Sequence, residues 1–186
     1  LKEPMPVGGR GLAAVLGDMS RGIAMARTGQ LAEARAALER IKPTAKKLAA
    51  KHTGKDFMAK MIRGLATVAE AQVGAEIAFA GQRTDEALVL QAKAMEAAAF
   101  VDGAEPPMLA NGPRQRLGGM QLKAKRFAAA EQTFREGLAL NPGSGWALNG
   151  LQKALSAQGK TADAQRVQRD LAVSWARADD DTRAAQ

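Results

Sequence analysis

Leu12, Val15, Leu16, Met19, Ile23 and Ala26 fall three or four residues apart, the spacing that lines one face of a helix. The same period returns along most of the chain, interrupted by short polar breaks such as Thr28-Gly29-Gln30 and Ala80-Gly81-Gln82. Helices joined by so few residues must fold back on one another as antiparallel hairpins. One amphipathic hairpin cannot bury its apolar face alone and needs a neighbour stacked on it. Composition agrees. About a fifth of the residues are Ala, the strongest helix former, Tyr is absent and aromatics make up 4%. The expected fold is all-α, an α-solenoid of antiparallel helical hairpins with about eight helices.

The turn signals place those helices. The first covers the Leu12–Ala26 stripe. The second runs from Leu31 to about Lys42, where Pro43 interrupts it, and a short basic helix continues from Thr44 to His52, ended by Gly54. A long helix follows from Asp56, a plausible N-cap, to Ala80, then one from Thr84 to Phe100. Gly103, Pro106 and Pro107 make 102–107 a loop. Four further helices are expected over Pro113–Lys125, Phe127–Leu140, Gly145–Gln158 and Thr161–Arg177. The organisation is then a loose N-terminus at 1–10, two irregular hairpins with a basic insertion at 11–106, two regular repeats at 107–178, and a polar tail at 179–186.

The second half repeats itself. Leu117 matches Leu151, Ala130 matches Ala164 and Phe127 matches Thr161, each 34 residues on. Leu117-Gly118, Phe127, Ala130, Phe134, Leu138 and Pro142 alternate small and large side chains. Small residues at Gly118 and Ala130 let two helices approach, and Phe134 and Leu138 fill the space left. From Asn111 to Trp175 the chain resembles the tetratricopeptide repeat family, which implies a right-handed α-solenoid. Gly22, Gly29, Ala34 and Leu38 fall at the corresponding offsets between Leu12 and Ile41. Around 56–100 only the turn at Gly81 and the Asp85-Glu86-Ala87 helix start are similar. Glu105-Pro106-Pro107, with Asn141-Pro142-Gly143-Ser144-Gly145-Trp146 and Gln158-Gly159-Lys160-Thr161, resembles the C-terminal region of large bacterial tetratricopeptide proteins. That likeness, and a first residue that is Leu rather than Met, imply a fragment of a larger bacterial protein whose natural N-terminus is missing.

Chemistry-bearing constellations are scarce. With no Cys there is no disulfide framework, thiol nucleophile or thiolate metal site, and one His makes imidazole acid–base catalysis a poor expectation. Met58 and Met61, with His52 nearby, suggest a copper-handling module, since thioethers are soft ligands. Core packing is the better reading, because both methionines flank Phe57 and Ile62 at helical spacing. His52 continues the Ile41, Ala45, Leu48 face towards a helix C-terminus, where its protonated form suits the helix dipole. Glu33, Glu39, Glu70, Glu76, Glu131 and Glu136 are spread over separate helices, mostly within a turn of a cation. Gly8-Gly9-Arg10-Gly11 precedes a helix, yet lacks the preceding strand and Lys-Ser/Thr pair of a phosphate loop. No catalytic residue, cofactor or metal is expected.

The charge of +8 and pI near 10.1 favour acidic partners. The densest basic run is Lys42, Lys46, Lys47, Lys51, Lys55, Lys60 and Arg63. It reads first as a solvated face and next as a surface for an acidic protein. No nucleic-acid partner is expected, because no aromatics interleave the cations to stack bases. No membrane span is expected, and zero Cys leaves the compartment open, cytoplasm or periplasm.

The expected function is a non-catalytic scaffold that holds a peptide or partner protein in its concave groove. A regulatory segment of a larger enzyme is the remaining alternative. In a tetratricopeptide array the first helix of each hairpin lines the groove, which selects Gln115, Lys123, Trp146, Asn149 and Lys153 as partner-binding residues. The same spacing in the first unit gives Leu16, Met19, Ile23 and Ala26. That face is apolar throughout and must be covered by the third helix, by further repeats or by a second subunit.

Overall fold

A computed structural model describes residues 11–99 and 112–176. The expectations for 1–10, for the loop at 102–107 with its paired prolines and for the tail at 179–186 lie outside them. Eight helices follow in order: α1 (Leu12–Arg27), α2 (Leu31–Lys51), α3 (Phe57–Ala80), α4 (Thr84–Ala98), α5 (Pro113–Lys123), α6 (Phe127–Leu140), α7 (Gly145–Ala157) and α8 (Thr161–Ser174). The fold is all-α, built of helical hairpins. The chain divides into two compact units, Leu1–Met108 and Leu109–Gln186.

In the first unit, α1 and α2 pair, α3 packs on both, and α4 packs on α3 alone. Val15, Ile23, Ala26, Ala34, Ile41, Ala45, Ala66, Ala69, Val73 and Ile77 form its core. The close approach of α1 to α3 depends on Gly22, where a Cβ would lie 2.8 Å from Val73 Cγ1 and 3.3 Å from the Ala37 methyl. The apolar α1 stripe therefore meets the third helix: Ile23 and Ala26 are buried, Leu16 and Met19 half-buried.

Pro43 does not end α2. The helix runs through it to Lys51, a correction to the expected break. Proline removes one backbone donor, but Pro43 sits on the exposed side, while Ile41 and Ala45 flanking it are held in the core. The expected basic helix at Thr44–His52 is the second half of α2. Asp56 caps α3 as expected, accepting from the Ala59 N–H at 2.9 Å. That bond, the largest influence on it, holds the Asp56 carboxyl below its ordinary pKa.

In the second unit, α7 is central and packs on α5, α6 and α8. The Phe134 ring is its keystone. A Cβ on Gly118 would come within 2.5 Å of that ring, and one on Gly150 would overlap it. Phe134 thus lies between two helices whose side chains are missing where it enters. The expected pairing of Gly118 with Phe134 holds. Gly150 was not anticipated, because the 34-residue register sets Gln152 opposite Gly118.

Each hairpin turns on the same backbone device. Gly29, Gln82, Lys125 and Gly159 have φ of 81°, 61°, 58° and 73°. The N–H of the next residue reaches back five positions in each case: Gln30 to Met25, Arg83 to Ala78, Arg126 to Gln121 and Lys160 to Leu155. This six-to-one bond is the Schellman closure of a helix C-terminus. Only the last two turns are 34 residues apart, so the repeat period shows only there.

Candidate functional site

The five residues expected to bind a partner lie on α5 and α7, which touch. Gln115 is half-buried and donates from Nε2 to Ser144 Oγ at 3.2 Å. Ser144 in turn accepts from the Ala147 N–H and caps α7. Gln115 is thereby brought to the end of α7 that carries Trp146. Asn149 is half-buried one turn further on, and Lys153 exposed one turn beyond that. Lys123 is exposed at the far end of α5, about 12 Å along the helix from Gln115. Among the described residues no hydrogen bond or ion pair joins any two of the five, and neither lysine has an acidic partner.

Trp146 packs within the fold. Its ring stands edge-on to Trp175, with centroids 5.9 Å apart and planes at 77°. The Trp175 indole occupies the space that a Gly145 side chain would take. Trp175 follows α8 directly, where Ser174 Oγ donates to the Gly143 carbonyl at 2.8 Å. The aromatic pair closes the last hairpin by holding the start of α7 to the end of α8.

A second surface lies in the first unit. Helices α2 and α4 flank α3, and their backbones do not approach each other closely. Between them is a cavity of about 300 Å³. Leu38, Ala71, Gly74, Ile77 and Leu90 make its apolar floor, and no residue of α1 lines it. Gly74 leaves the floor open, with only Leu90 Cδ1 near its missing Cβ, at 3.3 Å. The rim is charged: Arg35 and Lys42 from α2, Glu70 from α3, Arg83 from the turn before α4, and Glu86 and Lys93 from α4. Two of these cations are occupied. Lys42 Nζ binds Glu39 Oε1 at 2.7 Å, which raises its pKa, and Arg83 Nε binds Glu86 Oε2 at 2.6 Å. Arg35 and Lys93, on opposite walls, form no ion pair among the described residues. Sequence reading did not find them, because the groove exists only through the packing of α2 and α4 on α3.

Other charged clusters are structural. Glu131 accepts from Arg135, from Gln158 Nε2 at 2.7 Å and from Lys160 Nζ at 2.6 Å, tying α6 to the α7–α8 turn. The Lys160 bond above all, then those from Arg135 and Gln158, lowers its pKa to about 2. In the basic run, Lys46, Lys47, Lys51, Lys55 and Lys60 are exposed, while Arg63 is half-buried and donates to the His52 and Gly54 carbonyls. Met58 and Phe57 are 55% and 60% exposed, a correction to the core packing expected of them, while Met61 and Ile62 are half-buried. The Arg63 guanidinium braces the loop that carries His52, which disfavours a second cation there. Among the described residues no group of three or more His, Cys, Asp or Glu is arranged to hold a metal ion, and no helix is long and apolar enough to cross a membrane.

No family model matches the chain, and no curated protein matches it. Solved structures that align with it include several of MamA. MamA of AMB-1 is 20% identical over 92% of this chain and 97% of that one, with a TM-score of 0.49. A second AMB-1 structure is 21% identical over 86% and 97%, with a TM-score of 0.45. MamA of MSR-1 is 19% identical over 89% and 98%, with a TM-score of 0.43.

Proposed function

We propose that the chain is a non-catalytic protein-interaction scaffold whose α5–α7 row holds a peptide or a segment of a partner protein. Gln115, Lys123, Trp146, Asn149 and Lys153 form that surface. The observation carrying this reading is the row itself. Two touching helices present Asn149, Lys123 and Lys153 with hydrogen-bonding capacity that no neighbouring side chain uses, beside an aromatic pair that fixes the helix end. The amide and the two ammonium groups suit a peptide backbone and acidic side chains. The motif from Asn141 to Thr161 supports the further reading that the chain is part of a larger bacterial tetratricopeptide protein.

The test begins with peptides selected by display on the immobilised chain. Asn149→Ala and Lys153→Ala should each weaken a selected peptide without lowering the melting temperature, because neither side chain is buried. Trp146→Ala is expected to lower both, through the lost contact with Trp175. Peptides whose affinity ignores both the Asn149 and Lys153 changes would place the binding face elsewhere.

A further inference from the structure

We infer that the groove between α2 and α4 is a second docking site, for an acidic peptide segment of a partner protein carrying one large apolar side chain. This inference stands apart from the α5–α7 row and does not depend on it. The floor sets the first requirement. Leu38, Ile77 and Leu90 converge on a hollow that Gly74 keeps open, although glycine within a helix lowers its stability. About 300 Å³ is at the small end of binding cavities. It admits an anchoring side chain rather than a whole helix.

Charge sets the second requirement. Glu86 is engaged by Arg83, and Lys42 by Glu39 with the Glu70 carboxylate also acting on it, so the cations left over are Arg35 on one wall and Lys93 on the other. An occupant with carboxylates on both sides of its anchor would meet both. Val89, 70% exposed and one turn from Lys93, extends the apolar surface past the α4 rim. An acidic nucleic acid would find the cations but not the stacking, since no aromatic side chain lines the groove. Apolar floor and opposed cations together select a peptide.

The full chain, labelled with ¹⁵N, is titrated with the peptide acetyl-Glu-Glu-Leu-Glu-Glu-amide and followed by amide chemical shifts. The amides of Arg35, Leu38, Gly74, Leu90 and Lys93 should move, and the affinity should fall as salt rises. The double variant Arg35→Glu/Lys93→Glu should bind about tenfold more weakly with an unchanged melting temperature, because both side chains are exposed. Gly74→Leu should abolish binding by filling the floor. Lys123→Glu/Lys153→Glu should leave it intact, which separates this site from the α5–α7 row. Four results would overturn the inference: shifts confined to α5 and α7, undiminished binding by the Arg35/Lys93 variant, equal binding of a peptide with Ala in place of Leu, or tighter binding of oligo(dT) at the same amides.

Discussion

The two units solve one packing problem with different residues. Gly118, Ala130 and Phe134 in the second unit have the same spacing as Gly22, Ala34 and Leu38 in the first. In the second unit the large member of the set is an aromatic ring, 4% exposed, wedged between Gly118 and Gly150. In the first, Gly22 meets Val73 and Ala37 instead, while Leu38 is half-buried and turns into the floor of the groove. The Phe134 ring fills the space between α5 and α7, whereas in the first unit Val73 fills the space beside Gly22 and Leu38 is left to line the α2–α4 groove.

The largest effect should come from removing the plug where it exists. Phe134→Ala should cost about 3–5 kcal/mol, because it opens a cavity that two glycines cannot close. Leu38→Ala should cost less, since that side chain is only partly buried. Denaturant unfolding of the two variants, with hydrogen exchange in α5–α8 and α1–α4 respectively, checks the ordering. Equal losses would mean that the two positions are equivalent and that the contrast is false.

Next come the close approaches themselves. Gly118→Leu and Ala130→Leu should each destabilise the second unit by about 1–3 kcal/mol through overpacking, and Gly22→Leu the first by a similar amount. Gly119→Leu is the control, because nothing lies within 4 Å of its missing Cβ. A melting midpoint indifferent to Gly118→Leu would refute the register.

What the sequence carries and what it hides divide along the same line. Helix positions and hairpin turns are local, and Thr28-Gly29-Gln30 or the Asp56 cap announces them within a few residues. Pro43 misleads because local chemistry disfavours helix there, while the core on either side of it prevails. The pairing of Trp146 with Trp175 and the use of Gly150 depend on which helices meet. The 34-residue register, which aligns Gln152 with Gly118, points away from Gly150. The α2–α4 groove is a space between helices whose backbones stay apart, so no residue pattern in the chain marks it.

Acid sharpens the comparison at moderate cost. Glu131 ties the second unit with a carboxyl whose pKa is lowered to about 2, against an ordinary value of 4.5. Its contribution is therefore fully present above about pH 4.5 and is lost as the pH falls from there through about 2. Lys160 and Arg135 are both about half exposed, so solvent screening limits the contribution to about 1 kcal/mol. Glu131→Gln should lower stability by that amount at pH 7 and flatten the dependence between pH 5 and 2. An unchanged slope for α5–α8 protection would show that other carboxylates control the acid limb.

The smallest effect concerns the turns, where each unit contains its own control. Gly29 and Gln82 close the two hairpins of the first unit, Lys125 and Gly159 those of the second, all with left-handed φ. A side chain there strains the folded backbone by about 1–2 kcal/mol, whereas glycine loosens the unfolded chain and takes back part of that gain. Gln82→Gly and Lys125→Gly should each stabilise by about 0.5–1 kcal/mol. Gly29→Ala and Gly159→Ala should destabilise by about 1 kcal/mol. Neither glycine has an atom within 4 Å of where a Cβ would stand, so the loss comes from the dihedral angle alone. If the four turns are one device, the two gains should match each other and so should the two losses, whatever the packing around them. A gain at Lys125 without one at Gln82 would mean that the first unit turns under a different constraint, and that its longer helices rather than its closure set the hairpin.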